Sequence, residues 1–78
     1  MAILRLFAAA REAAGTGRAE IEGATVGEVL DAARARFGPD LAAVIQRCRI
    51  WRNGEPADDD TPVSATDEVA ILPPVSGG

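Results

Sequence analysis

The segment from Thr25 to Pro39 constrains the fold of this chain more than any other. Apolar side chains fall at Val26, Val29, Leu30, Ala33 and Phe37, the i, i+3, i+4, i+7 and i+11 positions of one helical stripe. Thr25-Val26-Gly27-Glu28 fits a capping box, in which the Thr25 hydroxyl accepts from an amide of the first turn while Glu28 reaches back. Gly38-Pro39 stops the helix, and Asp40 is placed as the cap of a short second helix over Leu41 to Gln46. A helix with a single apolar stripe must lay it on another layer.

Strands supply that layer. In Ile3-Leu4-Arg5-Leu6-Phe7, alternation puts Leu4 and Leu6 on one face and Ile3, Arg5 and Phe7 on the other. Ala8 to Ala14 reads as a short helix or tight turn closed by Gly15. Arg18 to Glu22 alternates as a half-exposed strand, the hairpin partner of the first. Cys48 to Arg52 is a third strand, turned by Asn53-Gly54 into a short edge strand limited by Pro56. Asp58-Asp59-Asp60 is a solvated loop whose adjacent side chains do not converge on a metal ion. Glu68 to Leu72 is nearly apolar on both faces, which predicts a central strand. Two opening strands, a crossing helix and a central last strand define an α+β fold. It is a β-grasp, ubiquitin-like roll with a mixed sheet and one main helix on one face. Residues 1–72 form the domain, and 73–78 an extended tail. Pairing of the first and last strands is expected to be parallel, with Phe7 and Leu72 beside the tail.

Seventy-eight residues make one small domain. No apolar run reaches the ~18 residues that span a bilayer. The start Met1-Ala2-Ile3-Leu4-Arg5 lacks a signal-peptide layout, and the single cysteine, Cys48, cannot form an internal disulfide. The expected location is the cytoplasm, away from membranes. The chain has no histidine, which excludes Ser-His-Asp and Cys-His nucleophile systems and His/Cys metal sites within it. All eight basic residues are arginine, so Schiff-base chemistry and lysine acceptor sites are absent. A net charge of −4 argues against nucleic acid and favours basic protein partners. Such a chain suits a substrate or carrier better than an enzyme. Cys48, a lone strand cysteine without a neighbouring base, is read as buried filler rather than a reactive thiol.

The ending Pro73-Pro74-Val75-Ser76-Gly77-Gly78 carries the chemistry. Two prolines stop the last strand and favour extended polyproline conformation. Two glycines, lacking Cβ, can enter a slot too narrow for other residues. Six extended residues reach roughly 20 Å, enough to enter another protein's active site. A terminal carboxylate is ionised and inert at neutral pH. ATP can activate it as an acyl-adenylate, and a sulfur donor can displace AMP to leave a thiocarboxylate.

Asp67 to Leu72 followed by Pro-Pro-Val-Ser-Gly-Gly resembles the ending of the small sulfur-carrier subunit of molybdopterin synthase. Leu6-Phe7-Ala8 with Arg11-Glu12 and Gly15 is similar to that family's opening, and Asn53-Gly54 falls at a similar turn. The resemblance implies that Gly78 is adenylated by an E1-like partner and converted to a thiocarboxylate with sulfur from a persulfide donor protein. It implies insertion of the tail into the large synthase subunit, where the sulfur builds the dithiolene of molybdopterin. No cofactor is bound; AMP and sulfur are carried covalently and transiently. The chain is then non-catalytic alone, the small subunit of a sulfurtransferase complex. Gly77 becomes a slender neck, Phe7 and Leu72 an apolar docking patch, and Pro73, Pro74, Val75 and Ser76 a partner-binding stem. Arg11 either contacts a partner carboxylate or pairs with Glu12 or solvent. The chain departs from the family at Thr66, where glycine is frequent, and at Trp51, large for its strand and open as to facing. Sulfur carriage for thiamine or cysteine synthesis shares the same features, with Pro-Pro-Val-Ser leaning against thiamine. A ubiquitin-like modifier joined to lysines through Gly-Gly, and an interaction domain with an incidental tail, stay open at this point.

Overall fold

Alternation decides which side of each strand is buried, and the buried sides decide how the sheet folds onto its helices. A computed structural model describes residues 1–73. Pro74, Val75, Ser76, Gly77 and Gly78, to which the stem, neck and carrier roles were assigned, lie outside the described residues. The elements are β1 (Ala2–Leu6), α1 (Ala8–Ala14), β2 (Arg18–Ile21), α2 (Val26–Phe37), α3 (Pro39–Ile45), β3 (Arg49–Arg52), β4 (Glu55–Pro56) and β5 (Glu68–Leu72). The five strands form one mixed sheet in the order β2-β1-β5-β3-β4. β1 pairs antiparallel with β2 and parallel with β5, and β3 lies antiparallel to both β5 and β4. The last strand is central and the Pro56 strand is an edge of two residues, as the sequence predicts. This is the β-grasp, ubiquitin-like arrangement.

The helices cover one face only. Ala2, Leu4 and Leu6 of β1, with Val69 and Ile71 of β5, are buried against Val26, Val29, Leu30 and Ala33 of α2. Leu41 and Ile45 of α3 and Ala10 of α1 close the same core, and Phe37 packs half-buried at its margin.

Helix α2 starts as its sequence requires, with one difference. The Thr25 hydroxyl accepts from the Glu28 amide at 3.2 Å. The Glu28 carboxylate, however, accepts from Ala24 N–H at 3.1 Å, one residue before the cap. Two further amides of the first turn go to the acidic loop: Val26 N–H donates to the Thr61 carbonyl at 2.8 Å and Gly27 N–H to the Asp59 carbonyl at 2.9 Å. The loop 58–61 therefore satisfies helix donors that have no partner inside the helix. A Cβ at Gly27 would stand 3.1 Å from the Asp59 backbone oxygen, so a larger residue there would push the loop back by a few tenths of an ångström. Helix α3 begins two residues earlier than expected. Pro39 occupies its first turn and Gly38 its N-cap, so Asp40 lies inside the helix and makes no capping bond. Proline is preorganised for that position and lacks only a donor that would be unpaired there.

The far end of the sheet is tied by one polar knot. Asn53 and Gly54 both have positive φ, 50° and 85°, as a tight hairpin turn of this kind demands. Asn53 Nδ2 donates to Asp67 Oδ1 at 2.9 Å, and Asn53 Oδ1 accepts from Glu68 N–H at 2.9 Å. Ser64 N–H donates to Asp67 Oδ2 at 2.8 Å. Thr66 sits in this turn without positive φ, so the turn closes without glycine there. Donation from Asn53, then from the Ser64 amide, holds the Asp67 carboxyl below its ordinary range. A carboxylate whose folded pKa is depressed adds stability above its unfolded pKa and loses it as pH falls through the folded value. We therefore expect the urea midpoint of the native protein to drop from pH 7 to pH 3 more than that of Asp67→Ala. Equal drops in the two proteins would remove Asp67 from the acid response.

Candidate functional site

β1 and β5 run in the same direction, so both deliver the residue after them to one end of the sheet. Leu6 lies opposite Ile71, which sets Phe7 beside Leu72. Phe7 N–H donates to the Ile71 carbonyl at 3.3 Å. Phe7 is extended (φ −127°, ψ 153°) at the N-cap of α1, and its carbonyl accepts from Ala10 at 3.1 Å. Its ring is exposed, at 39%. Ala8 next to it has φ 51°, a left-handed conformation that costs an alanine roughly 1 kcal/mol. That strain turns the chain sharply from β1 into α1 and leaves Phe7 projecting. Pro73 follows Leu72 and is exposed.

The sheet face away from the helices carries Ile3, Phe7, Ala70, Leu72 and Trp51, none of which packs into the core cluster. Leu72 is half-buried on this side. Trp51 lies opposite Ala70 and Pro56, while its neighbour Ile50 lies opposite buried Ile71. Trp51 therefore faces outward with Phe7 and Leu72. Sequence reasoning left its facing open, although alternation about Ile50 carried the signal. The Arg5 guanidinium rests over this face, 5.9 Å from the Phe7 ring centre and 3.8 Å from a Glu68 carboxylate oxygen.

Arg11 is exposed on α1, with its stem passing over Gly17. Among the described residues it forms no ion pair, with Glu12 or any other carboxylate. On the helix side of the tail root lies a cavity of about 250 Å³ lined by Ala8, Ala9, Val44, Arg47, Cys48 and Pro73. Cys48 is half-buried against the core. Burial pushes its thiol up, with Arg47 pulling weakly the other way, so it is protonated at neutral pH and a poor nucleophile. Among the described residues no cluster of three or more His, Cys, Asp or Glu side chains could hold a metal ion. Among them, too, no helix is long and apolar enough to cross a membrane. The geometry thus offers an apolar, arginine-edged face beside the point where the chain leaves the sheet.

Known proteins with this architecture share the sequence as well as the fold. Small archaeal modifier protein 1 of Haloferax volcanii is 39% identical over 84 aligned residues, covering 95% of this chain and 97% of that one. The solution structure of small archaeal modifier protein 1 from Methanosarcina acetivorans superposes with a TM-score of 0.88 at 33% identity, covering 99% and 95% of the two chains. A chain of the complex of subunits 1 and 2 of molybdopterin-converting factor from Helicobacter pylori is 26% identical, with a TM-score of 0.71 and coverage of 99% and 97%. Relatives of this chain are therefore seen assembled with a partner subunit. The model of the ThiS family matches residues 4–78, and the chain belongs to that family of ubiquitin-like sulfur carriers.

Proposed function

We propose that this chain carries sulfur as a thiocarboxylate at Gly78 and delivers it to the dithiolene of molybdopterin. The observation that carries the reading is the exposed Phe7–Leu72 face, set at the end of the sheet where Pro73 leads toward Gly77-Gly78. An E1-like enzyme transfers AMP from ATP to the Gly78 carboxylate and releases pyrophosphate. A persulfide sulfur of the donor protein attacks the acyl carbon and AMP leaves. A thiol then cleaves the sulfur–sulfur bond, leaving –COS⁻ on Gly78 and a disulfide behind. Pro73 to Ser76 form the stem that reaches the large synthase subunit, and Phe7, Leu72 and Arg11 dock against it. The relative found in complex with subunit 2 of molybdopterin-converting factor supports this destination. The 39% identity to a small archaeal modifier supports a second reading, in which the activated Gly78 is joined to lysines of other proteins.

Intact mass separates the two. With its adenylating enzyme, ATP and a sulfur donor, the protein is expected to gain about 16 mass units as carboxylate oxygen is replaced by sulfur on the activated terminus. Isopeptide-linked Gly78 on lysines of cellular proteins, without a thiocarboxylate, would select the modifier reading instead.

A further inference from the structure

The cavity at the tail root lies between the start of α1 and the turn after α3. Val44 and Cys48 are half-buried there against the core, and Ala8, Ala9, Arg47 and Pro73 are exposed around them. Its volume of about 250 Å³ falls below the roughly 300–1,000 Å³ of small-molecule sites. A cofactor is too large for it, and an aliphatic side chain with its backbone is not. Among the described residues Arg47 is the one charged side chain lining it, and Arg47 has no ion-pair partner there. Apolar walls with one guanidinium at their edge are complementary to a short peptide that carries an aliphatic side chain and a carboxylate.

The sequence continues from the cavity with such a peptide. Pro73 lines it, and Pro74-Val75-Ser76-Gly77-Gly78 follow. Val75 comes two residues after Pro73, within roughly 7 Å of chain. Three more residues, up to roughly 11 Å, lead to Gly78, which in the sulfur-carrier reading ends the chain in a carboxylate. The reach is ample for a segment that starts at the cavity itself. Little intrinsic affinity is needed, because a short tether holds a segment at an effective concentration in the millimolar range.

We propose that residues 74–78 dock back into this cavity, with Val75 against Val44, Ala8 and Ala9 and the Gly78 carboxylate on the Arg47 guanidinium. The latch withholds the tail, and a partner takes it only from the open fraction. Replacing a carboxylate oxygen by sulfur keeps the negative charge, so the loaded tail closes as the unloaded one does. The inference rests on the sulfur-carrier reading for this consequence; the docking itself is read without any partner.

Two measurements on the full chain test the docking. In the methyl-labelled protein, nuclear Overhauser contacts are expected from the Val75 methyls to those of Ala9 and Val44. Cys48, the single cysteine, lines the same cavity, so its alkylation by iodoacetamide, followed by intact mass, reports access. Arg47→Gln and Ala9→Glu, both at exposed positions, should each speed alkylation at least roughly three-fold, as expected for opening a latch closed about two-thirds of the time. Arg47 pulls the Cys48 thiol down, so losing that charge without losing a latch would slow the reaction instead. Absent methyl contacts, with alkylation no faster in either variant, would overturn the latch. Contacts seen only between differently labelled chains would overturn it in favour of a second copy's tail. Contacts that persist while Arg47→Gln is alkylated no faster would overturn the Arg47 pairing. Adenylation is then assayed on the same proteins, where both variants should lower the KM of the chain by a similar factor. An unchanged or raised KM would overturn the withholding. Methyl contacts in a protein that no adenylating enzyme loads would uphold the docking and overturn the carrier reading.

Discussion

Gly77→Val is expected to leave the thermal melt of the protein unchanged and to stop sulfur transfer. The backbone pairing of β5 runs through Leu72, five residues before the substitution, so the fold should not register it. Stability should move by less than about 0.5 kcal/mol, the usual range for a surface change. Transfer is a different matter. In the proposed function the Gly78 carboxylate meets the α-phosphate of ATP in one protein and an acceptor in another. Valine adds two methyl groups on Cβ and narrows φ/ψ, so it takes up both width and freedom at the neck. Adenylation, followed by pyrophosphate release, and thiocarboxylate formation, followed by mass, should both fall below detection. Normal transfer by the valine protein would mean that the slot is wide and that glycine is dispensable there.

Adjacent aspartates at positions 6 and 7 should give opposite phenotypes. Leu6 is 1% exposed in the core, and Leu6→Asp would bury a carboxylate with no partner. That costs several kcal/mol, a large part of the roughly 5–15 kcal/mol by which small domains are stable, so the variant should be largely unfolded. Phe7 is exposed, and an aspartate there would stand beside the Arg5 guanidinium now over the ring. Urea melts of Phe7→Asp should stay within about 1 kcal/mol of the native protein. Its binding to the large synthase subunit or the adenylating enzyme should weaken by about 2 kcal/mol or more, near thirty-fold, as an aromatic anchor is lost. A Phe7→Asp protein that is unfolded as well as inactive would return Phe7 to the core and reverse the two faces of the sheet.

Those faces were legible because alternation is a local rule. Leu4 and Leu6 against Ile3, Arg5 and Phe7 could be sorted from five residues of sequence, and the structure sorts them the same way. The central place of β5 followed from Glu68-Val69-Ala70-Ile71-Leu72 having too few polar side chains for an edge. What the sequence concealed is non-local. The Asp58–Asp60 loop reads as solvated acid, yet it uses main-chain carbonyls to cap α2 from outside that helix. No residue type announces such a bond. Asp40 fits a capping residue by type, but Gly38-Pro39 two positions earlier starts α3 first. The arginine edge of the candidate site was hidden for the same reason. Arg5 and Arg18 are separated in sequence by the whole of α1 and face each other only once strand register is known.

Parallel pairing of β1 with β5 also sets when the molecule becomes competent. Ile3 pairs with Glu68 and Leu6 with Ile71, so the ladder joins the beginning of the chain to its end. Contacts of that sequence separation close late and slowly, because the loop between them must be ordered first. β1 cannot complete its pairing until β5 has formed beside it. The surface that a partner would read takes Phe7 from the start of the chain, Trp51 from its middle and Leu72 from its end. A nascent, truncated or misfolded copy cannot assemble it. A partner that requires this face would therefore bind only chains whose sheet has closed.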